Sequence, residues 1–430
     1  MSKNETSGII PVSVSKTENG SIRQKGVFIF LAGMNFWEGL FDNGNIKFIR
    51  NILSFRVVNF SYIVMTIIIP KKLPKYKYLI LKEKEGIIKR IADDYGVRVE
   101  FCHIKGRTVF GIYAALKEIF KKTRHYQRKF IWASNYFNCF LGTRLKSRMP
   151  DTRLHFEMMG LVPEEELLYS ESNTLSRLSK FLILRMLCRM NLKNADSISV
   201  VSNRFRGYIA STYGLFPSDI DVIPCFYDDK VFYVDEELRK NFRQKYEITD
   251  RQKLILYSGM LQQWQMPEVL FGFFKHMQQQ DHHRELRFMM VTFDREKALN
   301  LAAAYGIRDL IVDTATGSEL NGIYNAADIG IATRSDDWVS KVSSPVKIPE
   351  YLATQNSLIL LESIGDFGLD MKSKQYAIVK KCKEDLLKMN ISEIFSLKKP
   401  DSTDMADIYG NYSVGKYVPV LEKIFDHHCK

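Results

Sequence analysis

Ser343, Ser344, Lys347 and Glu350 stand within a short run of one another, Ser343-Ser344-Pro345-Val346-Lys347-Ile348-Pro349-Glu350-Tyr351-Leu352-Ala353. The order of these residues suits an anion holder beside a hydroxyl acceptor. Ser344 followed by Pro345 reads as a helix start, with Ser344 as the cap and Pro345 at the first helical position, where its missing donor does no harm. The open amides of that turn, with the hydroxyls of Ser343 and Ser344, suit phosphate. Lys347 adds a charge-assisted contact. Glu350, three residues on, shares its face and is placed to accept from sugar hydroxyls. Together they match a nucleoside diphosphate. A capped helix carrying an ordinary surface Lys/Glu pair is the competing reading. Pro349 is expected to delete one internal helix bond and kink the segment.

Further candidates lie at the ends of apolar runs. Gly33 follows a strand-like Gly26–Leu31 and opens a loop containing Trp37, but the spacing is not the GxGxxG dinucleotide fingerprint. His155 and Glu157 end another strand-like run, suited to chemistry or to orienting a sugar hydroxyl, although a histidine within a strand is as often a core residue. Trp264 and Trp338 are candidate stacking surfaces. Asp336-Asp337 reads as a solvated loop rather than a carboxylate pair for a divalent ion, so no metal ligand is assigned.

The elements that must position these residues alternate apolar strands with amphipathic helices. Strands are predicted at Gly26–Leu31, Tyr62–Ile69, Val97–Cys102, Phe130–Ala133, Arg153–Phe156 and Asp196–Val201. After a seam at Asp219–Pro224 a second series follows: Leu254–Tyr257, Leu286–Val291, Ile311–Val312, Asp328–Thr333, Ser357–Leu361 and Ala377–Val379. Such repetition predicts parallel sheets covered by helices on both faces. Two such units would turn the carboxyl ends of their strands to a shared cleft. The expected division is a disordered polar tail over 1–24, one domain over 25–218, a second over 219–404, and a C-terminal helix within 405–430 that packs back on the first domain.

A chain of 430 residues has room for two domains. Its six cysteines form no CxxC pair, which speaks against a zinc site or disulfide scaffold and fits a reducing compartment. The first residues lack an apolar signal core, and the greasiest run, Val57–Ile69, is too short to span a bilayer. Charge is placed unevenly: residues 1–200 carry 33 Lys/Arg against 17 Asp/Glu, whereas the rest carry 29 against 32. Residues 71–148 alone hold 20 basic and 6 acidic side chains, interleaved with Tyr and Phe. An anionic membrane surface is the first partner this suggests for the N-terminal half; nucleic acid is not expected.

Three stretches are similar to the retaining glycosyltransferases of the GT-B fold, GT4-like enzymes of bacterial surface polysaccharide assembly. Val222-Ile223-Pro224-Cys225-Phe226-Tyr227-Asp228 resembles the family's interdomain connection. Leu256-Tyr257-Ser258-Gly259-Met260-Leu261-Gln262-Gln263-Trp264-Gln265 resembles its donor-loop strand, and Asn325–Ala332 with Ser344–Ala353 its donor-binding end. The resemblance implies two Rossmann-like βαβ domains facing across a cleft. It implies transfer of a sugar from a UDP- or GDP-sugar to a saccharide or lipid-linked acceptor, with no obligatory cofactor, in the cytoplasm or at the inner face of the membrane. By matching position it gives Lys347 the diphosphate and Glu350 the ribose hydroxyls. Gly33, Gly259, Gln262, Trp264, Gln265, Ser343, Ser344 and Tyr351 become donor contacts, and His155 a sugar-orienting residue. The basic pair usual in the donor loop is missing, so Arg334 is assigned its place, and no glutamate occupies position 342. A catalytically silent lipid- or polysaccharide-binding partner of the same fold and a non-hydrolysing sugar-nucleotide epimerase are the alternatives.

Overall fold

The computed structural model describes residues 26–32, 42–57, 60–70, 72–106 and 109–426; segment 1–24, Gly33 and Trp37 lie outside them. Seven strands form an N-terminal sheet: β1 Gly26–Leu31, β2 Tyr62–Ile69, β3 Arg98–Lys105, β4 Arg128–Ser134, β5 Thr152–Met158, β6 Ser197–Val200 and β7 Ile220–Val222. Six more form a C-terminal sheet: β8 Lys253–Ser258, β9 Leu286–Val291, β10 Ile311–Asp313, β11 Ile329–Ala332, β12 Ser357–Leu361 and β13 Ala377–Lys380. All pairings are parallel. Parallel strands need helical crossovers and become buried on both faces. That is why β1 and β2 read as near-continuous apolar runs, GVFIFL and YIVMTIII.

The order is β3-β2-β1-β4-β5-β6-β7 in one sheet and β10-β9-β8-β11-β12-β13 in the other. Each reverses direction beside its first strand, between β1 and β4 and between β8 and β11. In open parallel sheets the loops part at such points and leave a crevice outside the strand ends. The two lobes have the architecture of two Rossmann-like domains facing a cleft.

The chain crosses between the lobes twice. One crossing follows β7 through Cys225, Phe226 and Tyr227. The other runs from the helix Ser402–Tyr412, through a 3₁₀ turn at Val414–Tyr417, into the helix Val418–Asp426. The crossings touch: Tyr227 N donates to Tyr412 O at 3.2 Å, and Phe226 stacks on Tyr417 at 6.1 Å between ring centroids. The last helix lies on the N-terminal sheet, where Phe425 meets Phe28, Phe130 and Trp132. The C-terminal helix expected within 405–430 is therefore interrupted by a turn.

Further helices lie at Lys47–Ser54, Val162–Tyr169 and Ser402–Tyr412, the last overlapping the helix expected within 405–430. The last two carry legible start signals: Pro163 with Glu164 and Glu165 in one first turn, and a capping box of Asp401 and Asp404 in the other.

Truncating Phe425 to Ala removes a buried ring from the face formed by Phe28, Phe130 and Trp132. The expected loss is about 3 kcal/mol of stability, read by chemical denaturation; a loss under about 0.5 kcal/mol would show that the final helix adds little to the N-terminal lobe.

Candidate functional site

The C-terminal lobe brings its chemistry to the ends of β8 and β11, at the point where the sheet reverses. Tyr257 and Ser258 end β8, and Gly259 follows with φ +133, a conformation open to glycine. A Cβ there would lie 3.4 Å from Lys347 Nζ, so the glycine brings the backbone alongside the ammonium. Lys347 Nζ donates to Gln265 Oε1 at 3.0 Å and sits 4.0 Å over the Tyr257 ring. The Tyr257 hydroxyl lies 2.8 Å from both Gln265 Oε1 and Met260 O.

The loop holding Gln265 is fixed to the loop after β11. Thr333 Oγ1 donates to Gln265 O at 2.5 Å, and Ser335 N to Trp264 O at 2.9 Å. Arg334 lies between these bonds, and its Nε is buried without a hydrogen-bond partner. Burial and the neighbouring Arg334 guanidinium hold the Lys347 ammonium well below lysine's usual value. Burial likewise lowers Arg334, partly offset by Tyr257 and Glu165. Lys347 is thus buried beside the half-buried Arg334, with one amide oxygen and a ring face as the partners of the ammonium. Groups so arranged attract an anion.

Glu350 is 3% exposed. Burial pushes its carboxyl up to about 7, with Lys47 as the largest opposing influence and a long contact to the Tyr324 hydroxyl, 3.5 Å, as a further one. Lys47 comes from the other lobe, where its amine donates to Phe226 O and lies 4.6 Å from the Phe226 ring. Nothing in the local sequence points to Lys47; its helix follows a π turn at Asp42–Ile46.

The N-terminal lobe supplies a second wall. Glu157, half-buried at the end of β5, accepts from Trp132 Nε1 at 3.0 Å and from Ser134 Oγ. Burial raises its carboxyl above the ordinary range. Glu165 is raised too, against the pull of Arg334 across the cleft. Tyr169 reaches over fully: its hydroxyl is 2.6 Å from Ser335 Oγ and donates to Asp337, while its ring packs edge-on against Trp264 at 5.4 Å. Cys225 N donates to Ser344 Oγ at 3.0 Å, tying the first crossing to the same region.

Several sequence expectations change. The helix carrying the motif runs Lys347–Ala353, not from Pro345, and it has no side-chain cap. Ser344 serves Cys225 instead, and Ser343 Oγ donates to Ser340 O at 2.7 Å. Because the helix begins at Lys347, Pro349 falls in its first turn, where no internal partner awaits an N–H; the expected kink does not arise. Lys347 and Glu350 are buried rather than a surface pair. Tyr351 lies beneath β11, against Gly330, where a Cβ would come within 2.3 Å of its ring, and its hydroxyl accepts from Ser258 N at 2.8 Å. It supports the β8 end from below. Gln262 accepts from Gln265 N at 2.9 Å and shapes the same turn.

His155 is the clearest correction. Its ring is 0% exposed; Nδ1 is 2.8 Å from Ser197 Oγ and Nε2 is 2.9 Å from Ser199 Oγ. Both nitrogens are spent on the neighbouring strand β6, so it reaches no ligand in the cleft. Asp336 pairs with Lys341 at 2.7 Å, and Asp337 caps Ser340 N at 3.0 Å.

No protein-family model matches the chain, and no curated protein matches it significantly. Solved structures do. Alr3699/HepE of Anabaena in complex with UDP-glucose superposes with a TM-score of 0.64 at 10% identity, over 93% of this chain and 99% of that one. A glycosyltransferase of Rickettsia africae gives 0.64 at 15% identity, over 95% and 99%. WaaG, a glycosyltransferase involved in lipopolysaccharide biosynthesis, gives 0.58 at 13%, over 94% and 99%. At these identities the likeness shows the fold: the chain has the GT-B fold.

Glu350 makes stability depend on pH. A carboxyl whose folded value stands at about 7, against an ordinary 4.5, keeps its proton in the folded state over a range where the unfolded chain has lost it. Stability therefore falls as pH rises from about 4.5 to 7, by about 3 kcal/mol in all. Glu350→Gln should flatten that fall, so that the variant gains on the wild type with rising pH in parallel denaturation curves; parallel decline of both would refute the assignment.

Proposed function

We propose that this chain transfers a sugar from a nucleoside-diphosphate donor to a saccharide or lipid-linked saccharide acceptor, with retention at the anomeric carbon, in the assembly of a cell-surface glycan. The observation that carries this reading is the pair of under-partnered cations, buried Lys347 and half-buried Arg334 with its Nε enclosed, at the reversal point of the C-terminal sheet. The likeness to the fold of the Anabaena protein bound to UDP-glucose and to WaaG gives support.

In the transfer, the bond from the anomeric carbon to the diphosphate oxygen breaks, and a bond forms from that carbon to an acceptor hydroxyl. The hydroxyl proton passes to the departing phosphate oxygen. Negative charge grows on the diphosphate as the bond lengthens, and Lys347 and Arg334 stabilise it in a site from which water is largely removed. Gly259 lets the diphosphate approach the backbone beside Lys347. Gln265 and Tyr257 hold the ammonium in place. Glu350 accepts from ribose hydroxyls, with Lys47 favouring its ionised form. Trp264, Gln262 and the loop at Ser343 and Ser344 shape the surrounding wall. The donor is a UDP- or GDP-sugar.

A thermal-shift screen of nucleotide sugars, followed by NMR of the product's anomeric configuration, tests the reading. Lys347→Ala and Glu350→Ala should each lower the transfer rate by about a hundredfold or more, and near-normal rates in both would remove the site. Nucleotide binding should also take up protons, because a diphosphate raises the depressed value of Lys347. Affinity for UDP or GDP should fall as pH rises through the lowered titration range of Lys347, and calorimetry in buffers of different ionisation enthalpy should detect the uptake; an affinity flat with pH would contradict it.

A further inference from the structure

Among the described residues, the helix Thr174–Asn194 leaves the longest run of large aliphatic side chains uncovered. Leu175, Leu178, Leu182, Ile183 and Met186 are 79%, 45%, 59%, 59% and 70% exposed. At 3.6 residues per turn they fall on one side of the helix, a stripe about 16 Å long. Cys188, Asn191 and Leu192 are buried on the other side, against the N-terminal sheet. The helix contains five Lys/Arg and no Asp or Glu. Lys180 and Arg185 are held by Glu166 and Glu164, at 2.8 and 2.9 Å. Arg189 and Lys193 are exposed and prolong the apolar stripe towards its end.

We infer that this face docks on an anionic lipid bilayer, with the aliphatic stripe lying among the upper acyl chains and Arg189 and Lys193 among the headgroups. An apolar stripe flanked by cations and free of acids is what an interfacial helix requires. A second copy of the same face is a poorer occupant, because pairing it with itself would bring four cations and no carboxylate from these helices to one interface.

Neighbouring structure agrees. The helix Val109–Thr123 packs on the same side of the N-terminal sheet as Thr174–Asn194, their inner residues Ala115, Leu116, Ile119, Cys188 and Leu192 sharing one core. Its first turns leave Phe110 and Tyr113 exposed. Lys75 and Lys77, part of the basic stretch 71–148, begin the helix Lys75–Asp94, whose Leu81, Ile88 and Ala92 pack on the opposite side. A flat bilayer meets one side or the other, and the aliphatic stripe selects the first. That side continues into the helix Val162–Tyr169, whose Glu165 and Tyr169 face Arg334 and Ser335. A surface-bound acceptor would therefore be presented beside the cleft.

The test is flotation of the purified full-length chain with phosphatidylglycerol-containing and pure phosphatidylcholine vesicles. It reads no nucleotide, so its outcome is independent of the sugar-transfer reading. The wild type should float with anionic vesicles and remain behind with neutral ones. Leu182→Glu with Met186→Glu should reduce the bound fraction about tenfold or more at unchanged melting temperature, and Arg189→Ala with Lys193→Ala by about tenfold. Lys75→Glu with Lys77→Glu should reduce it less than about twofold. Failure of the wild type to float overturns the proposal, as does loss of binding in the Lys75/Lys77 variant alone. A dimeric mass by light scattering that the Leu182/Met186 variant converts to a monomer would assign the face to a second copy instead.

Discussion

Two positive charges kept close together, one of them buried, are unstable by themselves, and the ends of β8 and β11 are arranged around holding Lys347 beside Arg334. The lysine is gripped by Gln265 Oε1 and covered by the Tyr257 ring. Gln265 is in turn fixed through Thr333, next to Arg334 in sequence. Glycines provide the closeness these contacts need. Gly330 admits the Tyr351 ring against β11. Gly365, at φ +45, lies where a Cβ would come within 1.8 Å of Ser343 O. The repulsion is tolerated because surrounding packing fixes the geometry.

The second lobe meets this arrangement with carboxylates and one lysine. Glu157 and Glu165 carry raised carboxyls, and Lys47 is drawn towards Glu350. Farther along the cleft, Ser202 Oγ donates to Val342 O at 2.8 Å, and the Asp366 carboxylate receives the amides of Asn203 and Arg204 at 2.6 and 3.1 Å. That carboxylate sits on the first turn of the helix Asn203–Tyr213, where amides lack internal partners. The site is therefore assembled from both lobes, and a change in their separation changes its electrostatics as well as its width.

The fold was legible because parallel strands buried on both faces have to be apolar, and runs such as Tyr62–Ile69 and Ser357–Leu361 fall within their predicted bounds. Lys347, Gln265 and Arg334 were legible as a group only through resemblance; local spacing by itself allowed a surface pair. The helix start at Ser344 was misread because Ser-Pro is a general capping signal, and the tertiary partner that claims Ser344, Cys225, lies 119 positions away. His155 was misread for a related reason. Its environment is set by Ser197 and Ser199 on an adjacent strand, and no local pattern at 155 reveals what a neighbouring strand will offer. Lys47 and Tyr169 reach the cleft through interlobe geometry, which leaves no periodic trace in the chain.

The paired crossings, joined where Tyr227 donates to Tyr412 and Phe226 stacks on Tyr417, have a mechanical consequence. A single tether would let one lobe slide or twist freely over the other. Two strands of backbone fastened side by side act as a door hung on one post, and the remaining easy motion is a swing about that line. Opening then separates Tyr169 from Ser335 along an arc, and reclosing returns them to the same register without a search.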